Sequence, residues 1–185
     1  MKRATVDMYT PEILKLRYLR FKENYVNLSQ LIEKTKLPIR HQNPPEDITE
    51  NIVKFIIQNR EEDKSCVWSK SVGKKGDLHS FTYSVIEVKA FISSGPSSFG
   101  AKKKFGVIYF LDMRGWLGDI LILWKVNLTS ESSEWKNIKM NKSQTNEDQC
   151  NTRVRPHISW DSIYNQIPTS CVKVYEGNFE NIFTI

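Results

Sequence analysis

The hydrophobic period of this chain changes once, at Cys66, and that change constrains the fold more than any other feature. Before it, apolar residues recur every three or four positions. After it, they come in short runs separated by Gly, Ser and Asn. From Pro11 to about Lys34, Leu14, Tyr18, Phe21, Tyr25, Leu28 and Ile32 follow a 4-3-4-3-4 spacing that lines one face of a long amphipathic helix. Thr10 is a good N-cap for it, with Pro11 at the first helical position. The stripe has two uses open to it, packing on its own core or pairing with a second copy. A second helix is expected from Pro45 to about Asn59, burying Ile48, Ile52, Phe55 and Ile56. Glu46, Asp47 and Glu50 fall in its early turns, where carboxylates favour the helix dipole. Expected strands are Cys66–Ser69, Phe81–Ala90, Val107–Met113, Ile120–Asn127 and Val172–Tyr175. Helices followed by interrupted strands imply an α+β domain with a central mixed sheet, and 185 residues suit one domain with a real core.

Charge and cysteine use narrow the function classes. The net charge is +6, and the basic residues cluster at Lys102–Lys103–Lys104, at Lys136 to Lys142, and at Arg153 with Arg155. That balance suits a polyanionic partner. Cys66, Cys150 and Cys171 have no C-x-x-C spacing and read as reduced thiols. Met1–Lys2–Arg3 is not followed by an apolar run, and the longest apolar stretches, Val107 to Leu111 and Ile120 to Trp124, are too short to span a bilayer. The expectation is a soluble, cytoplasmic protein with no membrane partner.

One constellation carries a mechanism. Gly76–Asp77 is followed, after nine residues, by Glu87–Val88–Lys89. On a strand, Glu87 and Lys89 project from the same face while Val88 points the other way. Asp77, from a neighbouring element, can meet them at one point. Two carboxylates bind a hard cation such as Mg²⁺, and an ammonium beside them can position a water aimed at a phosphodiester. Glu50 is a further candidate acid for that metal. Other chemistries lack their residues: His41, His79 and His157 are isolated, and no zinc spacing, nucleophile elbow or phosphate-binding glycine loop occurs.

Two segments fit a nucleic-acid partner. Ser93 to Gly100, which includes Ser97 and Ser98, offers hydroxyl and backbone donors, and Lys102, Lys103 and Lys104 follow it with charge suited to phosphate oxygens. Further on, Lys142, Gln144, Gln149, Arg153 and Arg155 are side chains of the types that hydrogen-bond base edges.

G-D-x9-E-V-K-A, then S-S-F-G with K-K-F, N-K-S-Q-T…D-Q and R-x-R-P-x-I-S together resemble the small type II restriction endonucleases of the PD-(D/E)xK superfamily. The likeness is to the short enzymes that cut at GCNGC, and it runs from Asp77 to Trp160 and more loosely over the first two helices. Gly76 stands where the superfamily name has Pro. The resemblance implies a restriction-endonuclease-like core, catalytic strands over about 66–127 and a DNA-recognition segment over about 136–160. It implies Asp77, Glu87 and the Val88 carbonyl as Mg²⁺ ligands, with Mn²⁺ able to substitute, and Lys89 as the catalytic lysine. It also implies double-stranded DNA as substrate, 5′-phosphate ends and a companion DNA methyltransferase in a bacterium, virus or phage; because one active site cuts one strand, a homodimer is expected for a double-strand cut. A structure-specific repair or recombination nuclease and a non-catalytic DNA-binding regulator stay open as alternatives.

Overall fold

The computed structural model describes residues 9–100 and 103–184. Helix α1 (Pro11–Thr35) begins where the Thr10 hydroxyl accepts the Ile13 amide, and ends at Lys36, whose left-handed backbone donates back to Ile32. Its stripe packs inward. Tyr18 stacks on Phe179 at 3.9 Å, Phe21 stacks on Trp116 at 5.3 Å, and Tyr25 lies on His41 at 4.1 Å. Of the two uses open to the stripe, Leu14, Tyr18, Phe21 and Tyr25 serve the chain's own core, the first two buried and the others packed against it.

Helix α2 (Glu46–Arg60) is buried from Ile48 through Ile57, lying between α1 and the sheet. Asp47 fixes the pair of helices by accepting from Arg17 at 3.0 Å and from the Tyr9 hydroxyl at 2.9 Å.

Beyond α2, β1 (Val67–Trp68) runs into a one-turn helix, α3 (Ser69–Val72), so the strand expected over Cys66–Ser69 is shorter. The strand expected over Phe81–Ala90 begins later, at Ser84, and a short additional strand precedes it. Strand β2 (Leu78–Ser80) turns at Phe81–Tyr83 into β3 (Ser84–Phe91), and Phe81, 88 % exposed at the tip, belongs to neither. The Ser80 hydroxyl accepts the Tyr83 amide and closes that turn, a local bond that apolar content does not announce.

Strand β4 (Ser97–Ser98) leaves the sheet, and β5 (Val107–Asp112) and β6 (Leu121–Val126) return to it. The chain then makes an excursion through α4 (Ser133–Lys136) and α5 (Asn146–Asn151) before β7 (His157–Ile158), α6 (Trp160–Gln166) and β8 (Cys171–Gly177). The main sheet has the order β1-β2-β3-β5-β6-β8, mixed because β3 and β5 run parallel and the other pairs antiparallel.

The sheet buries both faces. One meets α1 and α2 through Ile86, Val107, Tyr109 and Leu123. The other meets Trp135, Trp160 and Ile163 through Ile108, Phe110 and Val126. A separate ribbon forms where β4 pairs antiparallel with β7, Ser97 opposite Ile158 and Ser98 opposite His157. The expectation of helices around a mixed sheet is met. Among the described residues no helix is long and apolar enough to cross a membrane, and the three cysteines form no disulfide.

Candidate active site

The site begins at the end of the β2–β3 hairpin. Pairing stops at Leu78 opposite Ile86, so the edge of β3 beyond that point is free for other partners. Asp77, one residue before β2, uses that edge: its Oδ2 accepts the Val88 amide at 2.8 Å. The N–H and C=O of one strand residue point to the same side, so the Val88 carbonyl faces the same edge as Asp77. Gly76 makes the approach. Its φ is +89°, and a Cβ there would lie 2.6 Å from Val85 Cγ1. Proline, fixed near φ −65°, has no access to that backbone, which accounts for glycine at this position.

Glu87 and Lys89 follow on the same face of β3, as their spacing requires. Glu87 is 1 % exposed, and its Oε1 lies 2.7 Å from Lys89 Nζ. Burial pushes its pKa above the ordinary carboxylate value; Lys89 opposes that rise and the Asp77 charge adds to it. Lys89 also sits 5.7 Å from the Phe99 ring centre, so a buried carboxylate and an aromatic face fix its direction.

The fourth member is Lys103. Its ammonium lies 2.9 Å from Asp77 Oδ1 and pairs on its other side with Glu87 Oε2, joining the two carboxylates. Burial pulls its pKa down, but the bonds to Glu87 and Asp77 more than offset that, and it is held above the ordinary lysine value. It is a standing cation between two acids.

Glu50 enters from α2 with little exposure. The Trp68 indole donates to its Oε2, and Lys70 is 3.6 Å from its Oε1. Its pKa is pushed up to about 7, chiefly by burial, with Asp77 adding to the rise against the pull of Trp68 and Lys70. Glu50, Asp77, Val88 and Lys89 open into one cleft of about 520 Å³, lined across the way by Ser97, Ser98, Lys103, Arg155 and His157. The β4–β7 ribbon brings those opposite walls together although they lie far apart in sequence. Among the described residues no three His, Cys, Asp or Glu side chains gather as a metal cluster; Asp77 and Glu87 share the Lys103 ammonium.

Other expected contacts lie elsewhere. Lys104 is exposed and reaches Glu131 at 3.5 Å, beside a second hollow that Glu87 and Lys103 line together with Phe105 and Trp135. Lys142 and Arg153 are exposed outside the cleft. Gln149 is 7 % exposed and donates to Gln144 Oε1, an oxygen that also accepts from Asn141. Lys102 lies outside the described residues. Sequence reasoning set His157 aside as an isolated histidine. Its place two residues after Arg155, on the same side of an extended segment, was the available signal.

A mixed sheet flanked by helices, with two acids and a lysine converging at the end of its central hairpin, is the architecture of a restriction-endonuclease-like protein. The chain belongs to the Bsp6I restriction endonuclease family, whose model matches residues 13–167. No curated protein and no solved structure matches it.

Proposed function

We propose that this chain is a Mg²⁺-dependent type II restriction endonuclease that hydrolyses both strands of duplex DNA at a short specific sequence, leaving 5′-phosphate and 3′-hydroxyl ends. The observation that carries the reading is the cation bridge: a positive charge already sits between Asp77 and Glu87, with Lys89 on the second acid. An oxygen pair that holds an ammonium in this way fits Mg²⁺ or Mn²⁺, and the Val88 carbonyl adds a neutral oxygen on the same edge. When bound, the metal supplies charge stabilisation at the phosphate and an acidified water.

The protein's own residues do the rest. Asp77 and Glu87 hold the metal, with Glu50 as a further acid at the cleft wall. Lys89, held by Glu87, orients the attacking water in line with the leaving oxygen and stabilises charge on the phosphate. Ser97, Ser98, Lys102, Lys103 and Lys104 bind the DNA backbone. Arg155 and Arg153 read base edges, with Lys142, Gln144 and Gln149 beside them on the recognition excursion. One site cuts one strand, so a symmetric double-strand cut calls for a homodimer. A companion methyltransferase would protect the host's own sites in the cytoplasm of a bacterium or of a phage-infected cell.

A plasmid digest in Mg²⁺ with run-off sequencing of the ends tests the reading, and GCNGC is the first site to look for. Discrete fragments with 5′-phosphates are the expected result. Nicking confined to branched or flapped DNA would move the activity to repair, and binding without cleavage in Mg²⁺ or Mn²⁺ would make the chain a regulator.

A further inference from the structure

Lys103 is turned onto the two carboxylates rather than out toward a phosphate in solvent. Its backbone lies on the connection from β4 to β5, which is pinned at both ends: the Phe99 amide donates to Pro156 O at 2.9 Å, and the Phe105 amide donates to Ser130 Oγ at 3.4 Å. Phe99 and Phe105 are both buried, so the segment is fixed on either side of the lysine. Within it, the Lys103 amide donates to Gly100 O at 3.0 Å. The ammonium points inward to the two carboxylates, and the side chain remains 35 % exposed and lines the cleft.

The charge count of the site follows from these contacts. Asp77 and Glu87 contribute two negative charges, and Lys89 and Lys103 two positive ones, so the cluster is neutral as it stands. A dication between the acids would meet the Lys103 ammonium at close range, an arrangement electrostatics disfavours in a poorly solvated site. If Lys103 swings out as the dication enters, the cluster carries one net positive charge, and the freed ammonium stands at the mouth of the cleft, where a DNA strand would run.

We propose that Lys103 is the resident counter-ion of the carboxylate pair, displaced when a divalent cation binds and thereby released to a backbone phosphate. It is a positioning residue that makes metal entry and phosphate binding interdependent. The proposal rests on the reading of Asp77 and Glu87 as the metal-holding acids, and the experiment separates the two.

Mn²⁺ binding to the full-length protein without DNA is measured by titration calorimetry or electron paramagnetic resonance. Lys103→Met and Lys103→Gln, which remove the competing charge, are expected to bind Mn²⁺ about threefold to tenfold more tightly than the wild type, and Lys103→Arg to restore wild-type affinity. Binding of a random duplex is then compared in EDTA and in Ca²⁺. In EDTA the neutral variants should match the wild type, because its ammonium is engaged. In Ca²⁺ they should bind several-fold more weakly, with a salt slope lower by about one unit.

A merely structural lysine would not give a gain in metal affinity paired with a loss in DNA affinity confined to Ca²⁺. If both neutral variants bind Mn²⁺ no better than the wild type, while Asp77→Asn and Glu87→Gln abolish that binding, the displacement idea is overturned and the metal site stands. Mn²⁺ binding indifferent to Asp77→Asn and Glu87→Gln overturns the metal site itself, and the proposal with it.

Discussion

Asp77 Oδ2 accepts the amide hydrogen of Val88 at 2.8 Å, so the first acid is fastened to the backbone between the second acid and the lysine. The relative position of the three groups is thus set by a strand edge rather than by side-chain freedom.

From that geometry, Asp77→Ala, Glu87→Ala and Lys89→Ala are each expected to lower single-turnover cleavage about a thousandfold or more. The fold should persist in all three, because Lys89 and Lys103 keep access to water when a carboxylate is removed. Circular dichroism checks the fold. Near-normal cleavage by Lys89→Ala and Glu87→Ala together would discard the site.

Glu50 gives a pH signature. Its folded pKa of about 7 lies above the ordinary 4.5, so the folded state holds its proton more tightly than the unfolded chain. That contribution is fully present below pH 4.5 and is lost as pH rises through 7. Glu50→Gln removes the burden of ionisation. Measured in EDTA, the variant should gain on the wild type between pH 5 and 8, by on the order of 2 kcal/mol. A constant difference across that range would show that Glu50 is not held protonated by burial.

Gly76→Ala places a side chain at φ +89° against Val85. A stability loss of about 1–3 kcal/mol is expected, or a fall of several degrees in melting temperature for a chain of this size. Because Asp77 follows directly, cleavage should fall by more than that stability loss explains. Equal melting temperatures for wild type and variant would count against the strain.

Tyr18 is buried against Phe179 and Trp116. Tyr18→Ala should cost about 3–5 kcal/mol in urea denaturation, and Tyr18→Glu more, through unfolding rather than through loss of an oligomer. Sedimentation of a folded, monomeric Tyr18→Glu protein would reverse that assignment.

Arg155 lines the cleft, whereas Lys104 lies outside it. In Ca²⁺, Arg155→Ala should cost about 1–3 kcal/mol at the cognate site and little on random DNA. Lys104→Ala should weaken both alike and only slightly. Equal losses on both duplexes for Arg155→Ala would remove it from base reading.

The period change at Cys66 made the helices and the sheet legible, and the i, i+2 parity of Glu87 and Lys89 placed them on one face. The missing pieces were those made by pairing rather than by pattern. Strands β4 and β7 are two residues each and carry no periodicity, so the ribbon joining Ser97–Ser98 to His157–Ile158 could not be read ahead. Lys103 looked like one of three equivalent lysines because nothing local says which ammonium turns inward. The inward position of Gln149 was equally hidden, since a capping box at Thr145 and Asp148 sets the rotation of its short helix. In α1 the spacing was right and its purpose undecided, since an apolar stripe does not say whose surface it covers.

The excursion from Asn127 to Pro156 is closed at both ends on a single stretch of chain, Ser130 meeting Phe105 and Pro156 meeting Phe99. Its two feet therefore stand side by side on the segment that carries Lys103, while the hairpin bearing Asp77, Glu87 and Lys89 lies on other strands. On the proposed assignment of the excursion to DNA contact, any load it takes up would be passed through those two feet to the segment whose lysine bridges Asp77 and Glu87.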